Sequence, residues 1–375
     1  MSEATEAEDQ ANLATSPAIR QRTWTRFLLV ALALHVPLYF YPILRLCWWL
    51  SAPWWLTGLF FFGLGGSQIV SRLYLRGNHR PWAVAYKRVA DFWLGLSPLV
   101  FLALLVAEIV VATTDVPPNV AAWTVIGAAL LLGCFGVISA LRPVVKRIEF
   151  ASANLSAPVR FVQLSDVHIG SRSQAFLEQV MERVTELDPD FLCITGDFID
   201  APGITELQLA SLKTVECPIY FCIGNHEKYE DLEDILARLR RLGVVVLRNA
   251  ATRHREDLQV IGIDDLDDHH QVERQLKRID VDTGGFSLLL YHRPRGLEAA
   301  AEAGVDLMLS GHTHNGQIMP FNLVVARIFD RVAGLHQHGD ARLYVSQGTG
   351  TWGPIMRVGT RSEITLFEVS PASEI

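Results

Sequence analysis

VRFVQLSDVHIG, residues 159–170, decides how this chain is read. Its first six residues read as a strand, and directly after them stand a carboxylate and an imidazole, Asp166 and His168. In an extended segment an i, i+2 pair shares one face, so both side chains can reach a single ion. The arrangement recurs downstream. FLCIT precedes GDFID, with Asp197 and Asp200; IYFCI precedes GNHE, with Asn225, His226 and Glu227; SLLLY precedes His292; and DLML precedes SGHTH, with His312 and His314.

Every candidate ligand in this series offers oxygen or imidazole nitrogen and none offers sulfur, which suits Mn, Fe or Zn rather than a closed thiolate zinc site. Gly196 lets the chain turn so that Asp197 faces a crevice. A carboxylate has two oxygens, so Asp197 is the candidate bridge between two cations. Asp200 reads equally as a turn or cap residue and as a functional one. Asn225 adds a neutral, hard oxygen to an anionic site. His226 could face substrate and protonate a leaving oxygen, while Glu227 reads as capping the following segment or holding the loop rather than touching metal. Taken singly, a D-x-H pair is often only hydrogen-bonded and a lone His after a strand is often a core residue. The conjunction, in this order, carries the argument.

From residue 158 onward short apolar runs alternate with helical ones, the pattern of an α/β domain. Strands are predicted over 159–164, 191–195, 219–223, 244–247, 258–263, 287–291, 306–309, 342–346 and 363–369, with helices over 174–186, 205–214, 232–242 and 272–279. Nearly every motif falls just past the C-terminal end of a strand. That is where an α/β sheet places its ligand crevice, so distant motifs can meet in one pocket.

This series resembles the calcineurin-like metallophosphoesterase superfamily, whose pattern is D-x-H, G-D-x-x-D, G-N-H-D/E, H and G-H-x-H; the match is complete over residues 166–314. GHTHNGQIMPF at 311–321, YVSQGTG at 344–350 and residues 357–366 further resemble its bacterial membrane-associated phosphodiesterase branch. The resemblance, over about residues 158–370, implies a four-layer sandwich of two central β-sheets flanked by helices. It implies that Asp166, His168, Asp197 and His314 bind a first divalent ion and that Asp197, Asn225, His292 and His312 bind a second. His226 would be the general acid or transition-state contact, oriented by Asp200. Asn315 stands where that branch often has Gly. The expected reaction is hydrolysis of a phosphodiester or pyrophosphate by metal-activated hydroxide.

The N-terminal part is of another kind. Residues 1–19 are acidic and polar, too poor in apolar groups to fold alone, and are expected to be disordered. Four apolar stretches follow, at 27–50, 53–75, 92–113 and 121–141. Each is near the roughly 20 residues that span hydrocarbon, and Trp48, Trp49, Trp54 and Trp55 resemble an interfacial belt. About four transmembrane helices are expected, the first interrupted by Pro37, Pro42 and Arg45. The domains then run 20–147 in the membrane and 148–375 for the metallophosphoesterase part. Basic residues precede the first stretch (Arg20, Arg22, Arg26), lie between the second and third (Arg72, Arg76, Arg80, Lys87, Arg88) and follow the fourth (Arg142, Lys146, Arg147). By the positive-inside rule the catalytic domain of this integral membrane protein faces the cytoplasm.

Five cysteines in apolar surroundings point to a reducing compartment rather than a disulfide framework. The net charge of −7, with no basic stripe after residue 150, argues against a nucleic-acid partner. The bilayer is the expected partner. Residues 321–335 follow the last metal motif with Leu323, Val324, Val325, Ile328 and Phe329 among Arg327 and Arg331. They read either as an amphipathic lip dipping into lipid or as a helix packed on the sheet. A lip would favour a lipid-linked phosphoester as substrate; Arg172, Arg293, Arg295 and Arg357 could grip its oxygens. His269, His270, His336 and His338 read as loop residues. A phosphomonoesterase or nucleotide phosphodiesterase on a soluble substrate is the alternative. A membrane scaffold or sensor would be expected to have lost ligands, and a transporter would need more ionisable groups than Arg45, Asp91 and Glu108.

Overall fold

The computed structural model describes residues 33–75, 78 and 80–372. The acidic tail, the start of the first apolar stretch, and Arg20, Arg22, Arg26 and Arg76 lie outside the described residues. The chain parts into two compact units, one ending at Leu131 and the other beginning at Leu132.

In the first unit, Pro42 opens the Tyr41–Trp49 helix, where its missing N–H costs nothing, and a wider π-turn, Val36–Phe40, leads into it. The second apolar stretch is helical but irregular: Trp54–Phe60 runs into a wider π-turn, Phe61–Gly65, and Ser67–Ile69 into another, Val70–Tyr74. Among the described residues two helices are long and apolar enough to cross a membrane, Pro81–Thr113 with 33 residues and Pro118–Leu141 with 24. Arg45 and Glu108, both set in apolar sequence, neutralise one another: Arg45 Nη2 donates to Glu108 Oε2 at 2.6 Å and Tyr41 Oη to Oε1 at 2.9 Å. A paired ion is far cheaper in an apolar setting than a lone one, so these charges act as a stitch between helices.

Among its described residues the second unit holds twelve strands in two six-stranded sheets. They are β1 (Val144–Ser152), β2 (Val159–Leu164), β3 (Phe191–Thr195), β4 (Ile219–Cys222), β5 (Val245–Val246), β6 (Ala250–Arg255), β7 (Leu258–Ile263), β8 (Phe286–Tyr291), β9 (Leu307–Ser310), β10 (Gly334–His338), β11 (Ala341–Val345) and β12 (Glu363–Pro371). One sheet runs β1-β12-β2-β3-β4-β5 and the other β10-β11-β9-β8-β7-β6. Side chains alternate between faces, and the alternation sorts the core into three slabs. Phe161, Phe191, Val260, Leu288 and Leu309 fill the space between the sheets. Val162, Leu192 and Phe221 meet Gln174–Glu186 and Leu232–Arg241 on one outer face, and Ile261, Leu289 and Met308 meet Gln271–Leu276 and Leu297–Glu302 on the other. Helix, sheet, sheet and helix give the four-layer α/β sandwich.

β1, β6 and β10 were not among the expected strands. All three lie at or beside a sheet edge and carry charged or half-exposed side chains, so they lack the apolar run that marks a central strand. Register is clearest in the middle slab. Phe161 pairs with Phe191 on β3 and Phe367 on β12, and the three rings stack at centroid distances of 4.8 Å. Replacing Phe161 by Ala is expected to cost about 3–5 kcal/mol, and by Leu clearly less. Urea unfolding of the detergent-solubilised full chain, followed through this unit's transition, measures both.

Candidate metal centre

Five parallel strands aim their C-terminal ends at one place. Asp166 and His168 follow β2, Asp197 and Asp200 follow β3, Asn225 and His226 follow β4, His292 follows β8, and His312 and His314 follow β9. The two sheets are tied just beneath: Gln163 Nε2 on β2 donates to Thr195 Oγ1 at 2.9 Å and to Ser310 O, on the other sheet, at 3.0 Å. Gly311 N donates to His292 O at 2.9 Å, joining the last two motifs.

The donors gather into three overlapping groups whose atoms lie within 4.8 Å of one another: Asp166, His168 and His314; His168, Asp197 and His226; Asp197, His292 and His312. His168 Nε2 and His314 Nε2 face each other at 3.1 Å, as do His292 Nε2 and His312 Nδ1. Asp197 stands between the pairs, its Oδ2 3.1 Å from His292 Nε2. Asn225 Oδ1 is buried without a hydrogen-bond partner, a costly state for a carbonyl oxygen unless a cation is its partner. His292 Nδ1 donates to Thr195 O at 2.8 Å, fixing the tautomer that leaves Nε2 bare. The donor set therefore fits divalent cations.

Electrostatics point the same way. Burial disfavours a charged imidazole, yet the Asp197 carboxylate pulls His292 up to about 10. Burial, with His292 beside it, drives His312 down to about 2. The centre demands a positive charge against Asp197, and a cation there would leave the imidazoles neutral, as ligands must be.

Five ligand candidates sit in the left-handed region: Asp166 at φ 53°, His168 at 57°, Asp197 at 49°, His312 at 71° and His314 at 48°. Each costs about 1–3 kcal/mol and persists only where surroundings over-determine it. They do. Asp166 N donates to Gly196 O and His168 N to Asp197 O, while Gly350 N donates to Asp166 O and His312 N to the Asp166 carboxylate, all at 3.0–3.1 Å. No side chain fits at Gly311, where a Cβ would meet Ser165 Oγ at 1.9 Å and Asp166 Oδ2 at 2.2 Å. Gly196, at φ 81°, is equally confined by Gly224 and His292. Asn315 takes φ 50°, the conformation a glycine supplies and Asn tolerates.

Glu227 is the clamp. Its Oε1 accepts from Phe198 N and Ile199 N at 2.6 and 3.0 Å, and its Oε2 from Gly224 N and Asp197 N at 2.8 and 3.1 Å. His226 keeps 20% of its side chain exposed where His168 and His292 keep none, with its Nε2 3.9 Å from Asp197 Oδ2.

Some expectations change. Asp200 was expected to orient His226; instead its Oδ2 lies 3.2 Å from His168 Nδ1, and Ser171 N and Oγ donate to the same carboxylate. The chain reverses between Gly170 and Arg172, and Asp200 N donates to Ile169 O, which sets its carboxylate beside the D-V-H loop. The four arginines are otherwise engaged. Arg293 and Arg295 pair with Asp265 and Asp267. Arg172 is buried, donates to Ala140 O at 3.1 Å and lies over the Phe176 ring. Arg357, fully buried, donates to the carbonyls of His314, Gln347, Gly348 and Gly350. It braces the loops around the centre instead of reaching into it. Glu363, unnoticed in the sequence, takes the Tyr344 hydroxyl at 2.8 Å and Gln347 N at 3.0 Å. Its only signal was an acid heading a strand of apolar residues. His269, His270, His336 and His338 join none of the donor groups, the last two lying on β10.

The sequence matches the family model for calcineurin-like phosphoesterases over residues 159–316. An uncharacterized metallophosphoesterase of Aquifex aeolicus is 31% identical over 254 residues, 64% of this chain and 97% of that protein. The chain belongs to the calcineurin-like phosphoesterase family. It is also 33% identical over 242 residues to an uncharacterized metallophosphoesterase of Campylobacter jejuni, 60% of this chain and 63% of that one. It is 32% identical over 270 residues to a Bos taurus transmembrane protein with metallophosphoesterase domain, 63% of this chain and 59% of that one. It thus spans less than two thirds of the length of the first curated relatives it matches. Among solved structures, the Mycobacterium tuberculosis phosphopantetheinyl hydrolase aligns at TM-score 0.35 and 12% identity, over 53% of this chain and 92% of that one.

Glu227→Gln puts an amide N–H2 where a carboxylate oxygen accepts, so donors face donors. The variant is expected to lose about 1–3 kcal/mol for each orphaned N–H. Activity should fall with it, because the displaced loop carries Asp197 and Asn225. Chemical denaturation and hydrolysis of an aryl phosphodiester, run on the same preparation, read both effects.

Proposed function

We propose that the protein is a membrane-anchored phosphoesterase with two divalent cations, hydrolysing a phosphodiester or pyrophosphate bond in an amphiphilic, lipid-linked substrate. The observation that carries the two-metal reading is Asp197, standing between two facing imidazole pairs. In this reading Asp166, His168, Asp197 and His314 hold one ion, and Asp197, Asn225, His292 and His312 the other. When bound, the cations supply Lewis acidity toward the phosphoryl oxygens and acidify water. Two carboxylates against two dications leave a net positive centre, which suits an anionic phosphoryl group.

The chain's own residues do the remainder. His226, the more open imidazole, faces the leaving oxygen and hands it a proton. Asp200 orients His168 as a ligand, and Glu227 with Arg357 holds the loops in place while charge develops. The membrane part of the reading is supported by the two long apolar helices and by the likeness to transmembrane metallophosphoesterases. Two further spans earlier in the chain, and a cytoplasmic catalytic unit, follow from the apolar stretches and the basic residues flanking them.

The test uses full-length protein in detergent, stripped with chelator and reloaded with Mn, Fe or Zn. Activity on bis(p-nitrophenyl) phosphate should vanish and return, and Asp197→Asn and Asn225→Ala should each lower kcat/KM by about a hundredfold. A lipid diester in mixed micelles should be hydrolysed faster than the soluble diester. Full activity of either variant contradicts the metal assignment, and indifference to the lipid contradicts the substrate class alone.

A further inference from the structure

Just past His314 the surface turns apolar. In Phe321–Val325 no side chain is buried. Phe321 is 59% exposed, Leu323 62% and Ile328 60%. Trp352, from another loop, is 56% exposed beside them. The two loops are one structure: Gln317 Nε2 donates to Trp352 O and Pro354 O, Trp352 N donates back to Gln317 Oε1, and Met319 N donates to Val358 O. A soluble protein seldom shows so many large apolar side chains together without something to cover them.

The same loops grip the end of the Pro118–Leu141 helix. Arg357 N donates to Gly136 O at 2.9 Å, and a Cβ at Gly136 would meet Met356 Cγ at 2.7 Å and Val358 Cγ2 at 2.9 Å. The final helical carbonyls are capped from this side as well, Ala140 O by Arg172 and Ser362 and Leu141 O by Gln179. On its other side the helix end stays bare, with Leu132, Phe135, Ile138 and Leu141 exposed. Gly136 lies five residues before Leu141, so at 1.5 Å per residue the loop meets the helix roughly 8 Å short of its end. An interfacial segment sinks about 5–10 Å into the headgroup and acyl boundary.

We propose that the loop of residues 319–328, with Trp352, is immersed in the lipid interface at the mouth of the metal centre. The occupant of this apolar surface is the bilayer that receives the neighbouring helix end, and the inference rests on reading that helix as membrane-spanning. Arg327, exposed and without a carboxylate partner among the described residues, sits where it would meet anionic headgroups. The loop would keep the centre at the membrane surface and take substrate sideways out of the leaflet.

Nitroxide labels test this on the full chain in vesicles of phosphatidylethanolamine and phosphatidylglycerol. Cys134 and Cys217 are replaced by Ala, since Cys47, Cys193 and Cys222 are buried. Labels are then placed by Leu323→Cys and, as an aqueous reference on the far β-hairpin, by Glu256→Cys. The label at 323 is expected to relax severalfold more with oxygen relative to a nickel chelate than the label at 256. Equal ratios at the two sites overturn the proposal. So does a label at 323 shielded from both reagents, which would mean a protein partner or a second copy covers the loop. Aryl phosphodiester turnover of the same labelled protein reports separately on the hydrolase reading.

Discussion

The Glu227 carboxylate is the interaction on which the centre depends. It accepts from Gly224, Asp197, Phe198 and Ile199, so one buried anion fixes the backbone after β3 and after β4 together. Those two loops carry Asp197, His226 and Asn225. A further contact closes the circuit, since His226 N donates to Asp197 Oδ1 at 2.8 Å. With these loops fixed, Asp166 and His168 are held through Gly196 O and Asp197 O, and His312 through Asp166. The left-handed ligand residues are the outcome. Strain of about 1–3 kcal/mol apiece is tolerated because hydrogen bonds over-determine the backbone on every side.

A second constraint is charge. Asp166 and Asp197 are buried among imidazoles at the joint of two sheets, and Arg357 stands beneath with no carboxylate of its own among the described residues. Burying so much unpaired charge is expensive, and removing one partner of such a cluster costs several kcal/mol. Carbonyls from four residues take the terminal N–H groups of Arg357 while its Nε finds no partner, Ser165 Oγ donates to Asp166 at 2.6 Å, and Asn225 Oδ1 is left without a donor. A cation would give that oxygen its partner.

Much of this was legible in the sequence, for definite reasons. β2, β3, β8 and β9 are almost wholly buried, so each reads as a mainly apolar run, interrupted in β2 by Arg160 and Gln163, and chemistry at its C-terminal end is conspicuous. The edge strands β1, β6 and β10 have no such run and escaped notice. Glu227 was read as a cap or a loop holder, and its four backbone donors make it the second. Asp200 was tied to the wrong imidazole, since the fold back between Gly170 and Arg172 has no pattern in sequence. The arginines misled because no sequence pattern pairs them with their partners, Asp265 and Asp267 for two and backbone carbonyls for two. Hydropathy located the apolar stretches, yet not the wider π-turns at Phe61–Gly65 and Val70–Tyr74 within the second.

The most direct measurement is anomalous diffraction at the manganese edge from crystals of the Mn-loaded full chain. The account predicts two peaks per molecule, one among Asp166, His168 and His314, the other among Asn225, His292 and His312, with an Asp197 oxygen bound to each. A single peak, or two that do not share Asp197, would contradict it.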